Sequence, residues 1–178
     1  MLRTLLVSRP AVSRLIGRNV QRFVSSDSQH VFQRLELKKQ DGNVTADDFN
    51  KKAVLLYFSA SWCPSCREFT PKLKEFYDHT KNDGLQIVWL SRDRSEDDLL
   101  DYYKNALPPV PYFPFGSKEI KDLLQVYKIQ TIPAIKLIGA DGGVVDDGAR
   151  VKVEKNHSNA EESKKIVADW KNKLGFGE

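Results

Sequence analysis

Residues Ala53 to Tyr77 read AVLLYFSASWCPSCREFTPKLKEFY and predict a buried strand that passes directly into a helix. The apolar run at 53–58 is too short to span a membrane and has the length of a buried parallel strand. After the Trp62-Cys63-Pro64-Ser65-Cys66 segment, apolar residues recur at helical spacing up to Tyr77. The only two cysteines of the protein therefore lie at a strand-to-helix junction.

The sequence on both sides of this junction predicts further strands and helices, which indicates an α/β fold. Further strands are predicted from apolar runs at 85–90 and 134–138 and from a short segment at 144–146 after the turn Asp141-Gly142-Gly143. Helices are predicted over 95–105, 117–127 and 160–174. Near-alternation over Val31–Leu37, followed by Asp41-Gly42, predicts an edge hairpin. We expect three layers, with helices on both faces of a central mixed sheet.

The spacing of the two cysteines favours redox chemistry. Cys63 is predicted at a helix N-terminus, where unpaired N–H groups and the helix dipole favour the nucleophilic thiolate. Two intervening residues place Cys66 one helical turn further on, in reach of a mixed disulfide at Cys63. We therefore predict that Cys63 is the nucleophile and Cys66 the resolving thiol. Trp62 is expected either to shield the pair and offer an apolar surface to a partner, or to pack into the core.

Other uses of the cysteine pair fit the sequence less well. A zinc site needs about four ligands, and the sequence has no second cysteine pair or suitably spaced histidine. A structural disulfide would close only a four-residue loop, which constrains the unfolded chain little. An inert buried pair is the third alternative, but it does not explain the strand–turn–helix context. None of the three histidines is predicted to be a catalytic base; His30 and His157 are expected to be solvated.

The positive charge of the chain is concentrated at its N-terminus. Residues 1–26 contain five arginines, no lysine and no acid, so the remaining chain has 23 basic and 24 acidic residues, a net charge of −1. We therefore predict no binding to nucleic acid. Arg14, Arg18 and Arg22 share one helical face, opposite apolar residues, which is typical of an organelle import peptide. A disordered basic arm is the alternative.

The arm sets the expected domain organisation and location. We predict a cleaved mitochondrial presequence at 1–26 and one domain at 27–178, delivered to the mitochondrion, with the matrix as the expected compartment and the cytoplasm or nucleus as the alternative. No stretch of sequence approaches the ~20 apolar residues of a transmembrane helix, so no membrane association is expected.

The chain resembles thioredoxin-fold oxidoreductases, and more narrowly the tryparedoxin and nucleoredoxin group. The matching segments run from about Phe32 to Leu174. They are Tyr57-Phe58-Ser59-Ala60-Ser61-Trp62-Cys63-Pro64-x-Cys66-Arg67, Phe69-Thr70-Pro71, Phe76-Tyr77, Ser91-x-Asp93-Arg94, Val110-Pro111-Tyr112-Phe113 and Tyr127-x-Ile129-x-Thr131-Ile132-Pro133. The resemblance implies a thioredoxin-like fold and substrate contacts from Trp62, Pro64, Ile132 and Pro133.

The resemblance also implies a cis peptide before Pro133, beside the cysteines; a trans proline that starts an edge strand is the alternative. Two positions depart from the wider pattern. Ser65 replaces the second proline of the group's usual Cys-Pro-Pro-Cys, and Tyr57 stands where ordinary thioredoxins have a buried aspartate. The proton acceptor for Cys66 is thus open: water or the segment 92–94 are candidates, and a solvated charge cluster is the alternative for that segment.

We expect a protein-disulfide reductase that acts by dithiol exchange in redox homeostasis. It needs no bound cofactor and no metal, and we expect a monomer. Its partners would be protein disulfides and an upstream thiol reductant or reductase. The loop at 110–115 either shapes the substrate groove or plugs the core. Two rival functions are a redox-sensing regulator that binds a partner without turnover, and a metal or cluster carrier formed by two chains.

Overall fold

The computed structural model describes residues 30–177, and four strands within them form one mixed sheet. The strands are β1 (Ala53–Ser59), β2 (Leu85–Ser91), β3 (Ala134–Ile138) and β4 (Val144–Asp146). Their order across the sheet is β2-β1-β3-β4. β1 pairs in parallel with β2 along its whole length and antiparallel with β3, and β3 pairs antiparallel with β4. The predicted central mixed sheet is confirmed.

Five α-helices of the described residues cover the two faces of this sheet. They are α1 (Pro64–Thr80), α2 (Glu96–Ala106), α3 (Lys118–Val126), α4 (Ala149–Asn156) and α5 (Ala160–Lys173). Residues of α1, α2, α4 and α5 share one hydrophobic cluster, whereas residues of α3 contribute to a second cluster. The predicted three-layer arrangement is therefore confirmed. Helix α4 is an addition that the sequence pattern did not predict.

Strand β1 lies in the middle of this arrangement and is buried on both faces. Leu55 and Tyr57 belong to the cluster that contains α1 and α5, while Leu56 and Phe58 belong to the cluster on the α3 side. Successive side chains of a strand point to opposite faces, so a strand covered on both faces is apolar throughout. The continuous apolar run that ends at the cysteines is thus explained by its central position.

The predicted N-terminal edge hairpin is wrong. Residues Val31–Arg34 form a 3₁₀ turn capped by His30, and Val31 and Phe32 are buried in the α3-side cluster. The chain is extended at Lys38, but its partner there is Tyr112, far along the sequence. The segment after Gly42 has too few apolar residues to form a second arm, so the extended segment pairs with a distant loop instead.

The predicted presequence at 1–26 lies outside the described residues and stays a prediction. Among residues 30–177, no helix combines the length and the apolar character that crossing a membrane requires.

Candidate functional site

Cys63 occupies the N-cap position of helix α1. β1 ends at Ser59 and α1 begins at Pro64, so Cys63 is the last extended residue, with φ −90° and ψ 113°. Its Sγ accepts a hydrogen bond from the backbone N–H of Cys66 at 3.2 Å, as capping side chains do. Pro64 sits in the first helical turn, where a missing N–H leaves no bond unmade. The sulfur thus faces the positive end of the α1 dipole.

A second chain segment meets Cys63 from the β3 side. The thiol donates to the carbonyl oxygen of Ile132 over 3.7 Å, and the peptide bond between Ile132 and Pro133 is cis, as the resemblance implied. The side chain of Ile132 packs against the buried cluster of Ala60, Cys63 and Cys66. The structure therefore brings together residues that lie about seventy positions apart in the sequence.

The two thiols differ in their surroundings. Cys66 is completely buried, whereas 5% of the surface of Cys63 is exposed. Burial raises the pKa of the Cys66 thiol above its usual range, the hydrogen bond with Cys63 raises it further, and the backbone N–H of Ala60 acts in the opposite direction. An incoming disulfide can reach only Cys63, and Cys66 needs help to become a thiolate. The roles of Cys63 as nucleophile and Cys66 as resolving thiol stay a prediction.

Trp62 lies on the surface beside Cys63. It is 44% exposed, so the interpretation as a core residue is wrong. Its indole Nε1 donates to the carbonyl oxygen of Arg92 at 3.0 Å, and the Arg94 guanidinium carbon lies 5.4 Å from the centre of the ring. The ring is therefore held in place and presents an exposed apolar surface next to the nucleophile. Pro64 is also exposed.

Asp93 fixes the loop that leads to Trp62. One carboxylate oxygen accepts from the backbone N–H of Ser61 at 2.8 Å and from its hydroxyl at 2.7 Å. The other oxygen accepts from the Ser91 hydroxyl at 2.6 Å. Asp93 is half-buried and tied to the loop, so the description of the segment 92–94 as a solvated charge cluster fails at this residue.

A buried group of hydroxyls lies behind Cys66. The hydroxyls of Tyr57 and Tyr102 lie 2.7 Å and 2.6 Å from the Thr70 hydroxyl, which donates to the backbone carbonyl oxygen of Cys66 at 2.8 Å. Burial raises the pKa of Tyr102 to about 12 and that of Tyr57 further above its usual value. Both phenols stay protonated at neutral pH. Sequence reasoning singled out Tyr57 but missed Thr70 and Tyr102, which no local pattern connects to it.

The loop at 110–115 serves mainly as a plug for the core. Val110, Tyr112 and Phe113 are buried, and only Phe115 is largely exposed among its aromatic residues. Phe115 borders a cleft of about 280 Å³ that also contacts Arg92 and Asp93. The loop therefore contributes a single side chain to the surface near the site.

The histidines lie apart from this chemistry, but one of them was misplaced. His30 is buried rather than solvated: it stacks on Phe49, with ring centres 5.4 Å apart, and burial lowers its pKa to about 4. His157 contacts the carboxylate of Glu75 at 2.7 Å. Between residues 30 and 177, no three or more His, Cys, Asp or Glu side chains are grouped so that they could hold a metal ion.

The geometry agrees with what comparisons with known proteins show. A family model described as thioredoxin-like matches residues 50–144. The chain is 38% identical over 120 residues to tryparedoxin from Trypanosoma brucei brucei, covering 66% of this chain and 82% of that protein. It is 36% identical over 129 residues to probable nucleoredoxin 1 from Arabidopsis thaliana, covering 71% of this chain but only 21% of the longer protein.

A solved structure gives the same result in three dimensions. The crystal structure of thioredoxin from Wuchereria bancrofti superposes with a TM-score of 0.66 at 39% sequence identity. The match covers 78% of this chain and 99% of that one. The likeness thus extends over nearly the whole of the part that carries the strands, the helices and the cysteine pair.

Proposed function

The chain belongs to the thioredoxin-like family of oxidoreductases, and on that premise we propose that it reduces protein disulfides by dithiol exchange through Cys63 and Cys66. One observation carries the proposal. The Cys63 sulfur caps helix α1 through the N–H of Cys66 and lies 3.7 Å from the Ile132 carbonyl oxygen, while the second thiol is buried behind it. A sulfur at a helix N-cap, in a residue that keeps 5% of its surface exposed, with a completely buried thiol one turn away, suits nucleophilic attack followed by resolution.

The proposed exchange proceeds in two steps. The Cys63 thiolate attacks one sulfur of the substrate disulfide, forms a mixed disulfide and expels the other sulfur as a thiolate, which takes up a proton. Cys66 then loses its proton and attacks the Cys63 sulfur. The bond to the substrate breaks, the second substrate sulfur leaves as a thiolate and takes up a proton, and the protein keeps a Cys63–Cys66 disulfide. A dithiol reductant outside the protein returns both cysteines to thiols.

Substrate contact is assigned to the surface around Cys63. Trp62 and Pro64 are exposed on one side of the nucleophile, and the half-buried Ile132 lies on the other, whereas Pro133 after it is buried. This surface suits an extended segment of a partner protein that contains the disulfide. The mechanism uses only the two sulfurs of the protein, so we propose no bound cofactor and a protein that acts as a monomer.

We propose the mitochondrion, with the matrix as compartment, as the place of action. The support is the arginine-rich, acid-free composition of residues 1–26. A fusion of residues 1–30 to a fluorescent protein tests this. Mitochondrial import with removal of the arm is expected, and a cytosolic fusion that keeps its first residues contradicts it. A matched fusion with Arg14, Arg18 and Arg22 changed to glutamine serves as the control.

A second candidate function is a redox-sensing regulator that binds a partner without turnover. The observation that favours it is the similarity to nucleoredoxins. The matches to the two plant nucleoredoxins cover only 21% and 28% of the length of those proteins. The same cysteine pair would then switch a binding surface rather than pass electrons on.

Insulin reduction with a dithiol donor separates the two functions. The proposed reductase activity predicts multiple turnovers with the full chain. Cys63→Ser should show no reaction, and Cys66→Ser should form the mixed disulfide without completing a catalytic cycle. Ser65→Ala, which alters an exposed residue between the cysteines without removing a thiol, is the control for general damage to the loop. A folded wild-type protein that does not reduce insulin faster than the donor alone contradicts the proposed activity and favours the regulator.

A further inference from the structure

Helix α4 places a cation next to the resolving cysteine. Ala149 and Val153 bury one side of α4 against the cluster shared with α1. Arg150 is half-buried between them, and its guanidinium carbon lies 5.6 Å from the centre of the Phe69 ring. Phe69 follows Cys66 by three residues on α1, so the two side chains share a face of that helix. The guanidinium therefore lies on the Cys66 side of α1.

The Arg150 side chain has an unused donor at this position. Its Nε is buried and has no hydrogen-bond partner. Arg150 forms no ion pair with any residue that the structure describes, and the nearby carboxylate of Asp146 is taken by Lys152 and Trp170. Buried donors are normally paired, and a guanidinium most often with an anion. The Arg150 guanidinium is thus a half-buried positive charge without an anionic partner among the described residues while both cysteines are thiols.

The Cys66 sulfur is the group that becomes an anion beside it. One other thiol, two phenols, one backbone N–H and one cation surround this sulfur. Burial and Cys63 raise the pKa of Cys66, the Ala60 N–H and then Arg150 lower it, and Tyr57 and Tyr102 are neutral. Among these groups, Arg150 is the only one with a positive charge. Its attraction opposes the cost of burying the thiolate.

The buried hydroxyls cannot take the Cys66 proton. Thr70 has one hydrogen, and the Cys66 carbonyl can only accept, so Thr70 donates to that carbonyl. Its two lone pairs are then left for Tyr57 and Tyr102, which both donate to it. The two phenol hydrogens point at the Thr70 oxygen, the Thr70 hydrogen points at the Cys66 carbonyl, and none of the three hydroxyl oxygens is a base at neutral pH. The group fixes the backbone but offers no route for a proton.

We propose that Arg150 stabilises the Cys66 thiolate in the resolving step, an inference that rests on the proposed exchange reaction. The proton of Cys66 passes to the thiolate released in the first step or to solvent. The Cys66 thiolate then attacks Cys63, and the electron pair of the broken sulfur–sulfur bond leaves with the substrate. Arg150 acts through charge alone and touches no substrate atom in this step, so it is a positioning residue for the thiolate.

The first test measures the thiolate directly, without turnover. In Cys63→Ser the protein has a single cysteine, and its labelled ¹³Cβ shift follows the ionisation of Cys66 from pH 9 upwards; the midpoint is fitted from the rising part of the curve, because the pKa of Cys66 in the parent chain is about 12. Arg150→Met keeps the long apolar side chain over Phe69 but removes the charge. We expect the midpoint to rise by about one pH unit. Arg150→Lys should restore most of the shift.

Lys155→Met is the matched control for this titration. It removes one positive charge from the same helix at an exposed position that takes part in no ion pair of residues 30–177. We expect its midpoint to equal that of the parent. Equal midpoints for Arg150→Met and the parent, with both proteins folded by circular dichroism, would overturn the proposal. This readout is independent of whether the protein reduces any disulfide.

The second test separates the two steps of exchange in a single turnover. With excess reduced protein and a disulfide-bonded peptide, Arg150→Met should form the mixed disulfide at the wild-type rate and resolve it about three- to tenfold more slowly at neutral pH. A one-unit rise in pKa lowers the thiolate fraction about tenfold, and the greater nucleophilicity of the more basic thiolate offsets part of that loss. Raising the pH should close this gap. A slower first step with unchanged resolution would instead assign Arg150 to substrate binding and refute the proposed role. Absence of both steps in the wild type would count against the proposed function alone.

Discussion

Replacing Thr70 by valine removes the shared acceptor of two buried phenols. Valine keeps the shape of threonine, so the change leaves packing nearly intact and strands the hydroxyls of Tyr57 and Tyr102. An unsatisfied buried polar group costs about 1–3 kcal/mol. Tyr57 is fully buried and Tyr102 is 8% exposed, so water can relieve the second in part. We therefore expect Thr70→Val to lower the free energy of unfolding by about 2–4 kcal/mol.

Urea unfolding of the reduced protein, followed by far-UV circular dichroism, measures this loss. Thr80→Val is the matched control, because Thr80 is also buried on α1 and donates to the carbonyl oxygen four residues earlier, at 2.6 Å, but accepts from no tyrosine. Its expected cost is about 1 kcal/mol or less.

A double-mutant cycle tests the reasoning more strictly. Tyr57→Phe alone should cost about 1 kcal/mol, yet in the Thr70→Val background it removes the hydroxyl that valine stranded, so the second change should cost nothing or stabilise. The reasoning is refuted if Thr70→Val costs no more than Thr80→Val, or if the two changes are additive within error.

Three further outcomes follow from single sites. Burial lowers the pKa of His30 from 6.5 to about 4. The neutral ring therefore contributes fully to the free energy of unfolding above pH 6.5, and this contribution falls by about 3 kcal/mol as the pH drops towards 4. His30→Gln should remove this part of the pH dependence in urea unfolding. Asp93→Ala strands the Ser61 N–H and hydroxyl and should cost about 2–3 kcal/mol in the same assay, whereas Asp97→Ala, which loses only the attraction to the α2 dipole, should cost less than about 1 kcal/mol. Gly84 has φ +92° before β2, and only the flexible Lys171 side chain lies near it, so Gly84→Ala should lower the free energy of unfolding by about 1 kcal/mol through backbone strain. Gly139→Ala is the comparison for a steric cost, because its new Cβ would meet the Asp141 carboxylate at 3.0 Å.

Prediction from sequence succeeded where burial on both faces leaves a continuous apolar signal. The bounds of β3 and β4 agree with the predicted runs, and β1 and β2 differ from theirs by one residue at the C-terminal end. The capped start of α2 was also predicted, because Ser95 and the acids after it are local signals that need no tertiary contact.

The errors have a common physical origin. Helix α4 begins after Gly148 with no side-chain cap and buries only Ala149 and Val153, so its sequence lacks both a start signal and an apolar face. The extended segment at Lys38 was assigned a neighbour in sequence, whereas its partner Tyr112 lies in a distant loop. Both features depend on tertiary contacts rather than on local pattern.

The residues of the candidate site also fall into those that local sequence identifies and those that depend on tertiary contacts. Cys63 and Cys66 are recognisable from their spacing after a strand. Arg150 has no motif, and its position beside α1 depends on the packing of a helix that the pattern did not predict. The contacts between Asp93 and Ser61 likewise join residues that are 32 positions apart in the sequence.

Trapping of the mixed disulfide tests the central assignment most directly. Cys66→Ser should accumulate a covalent adduct with a disulfide-bonded peptide, located on Cys63 by mass spectrometry and released by a dithiol. Cys63→Ser should give almost none, because its remaining thiol is fully buried. If Cys63→Ser traps the peptide as well as Cys66→Ser, the roles assigned to the two cysteines are contradicted.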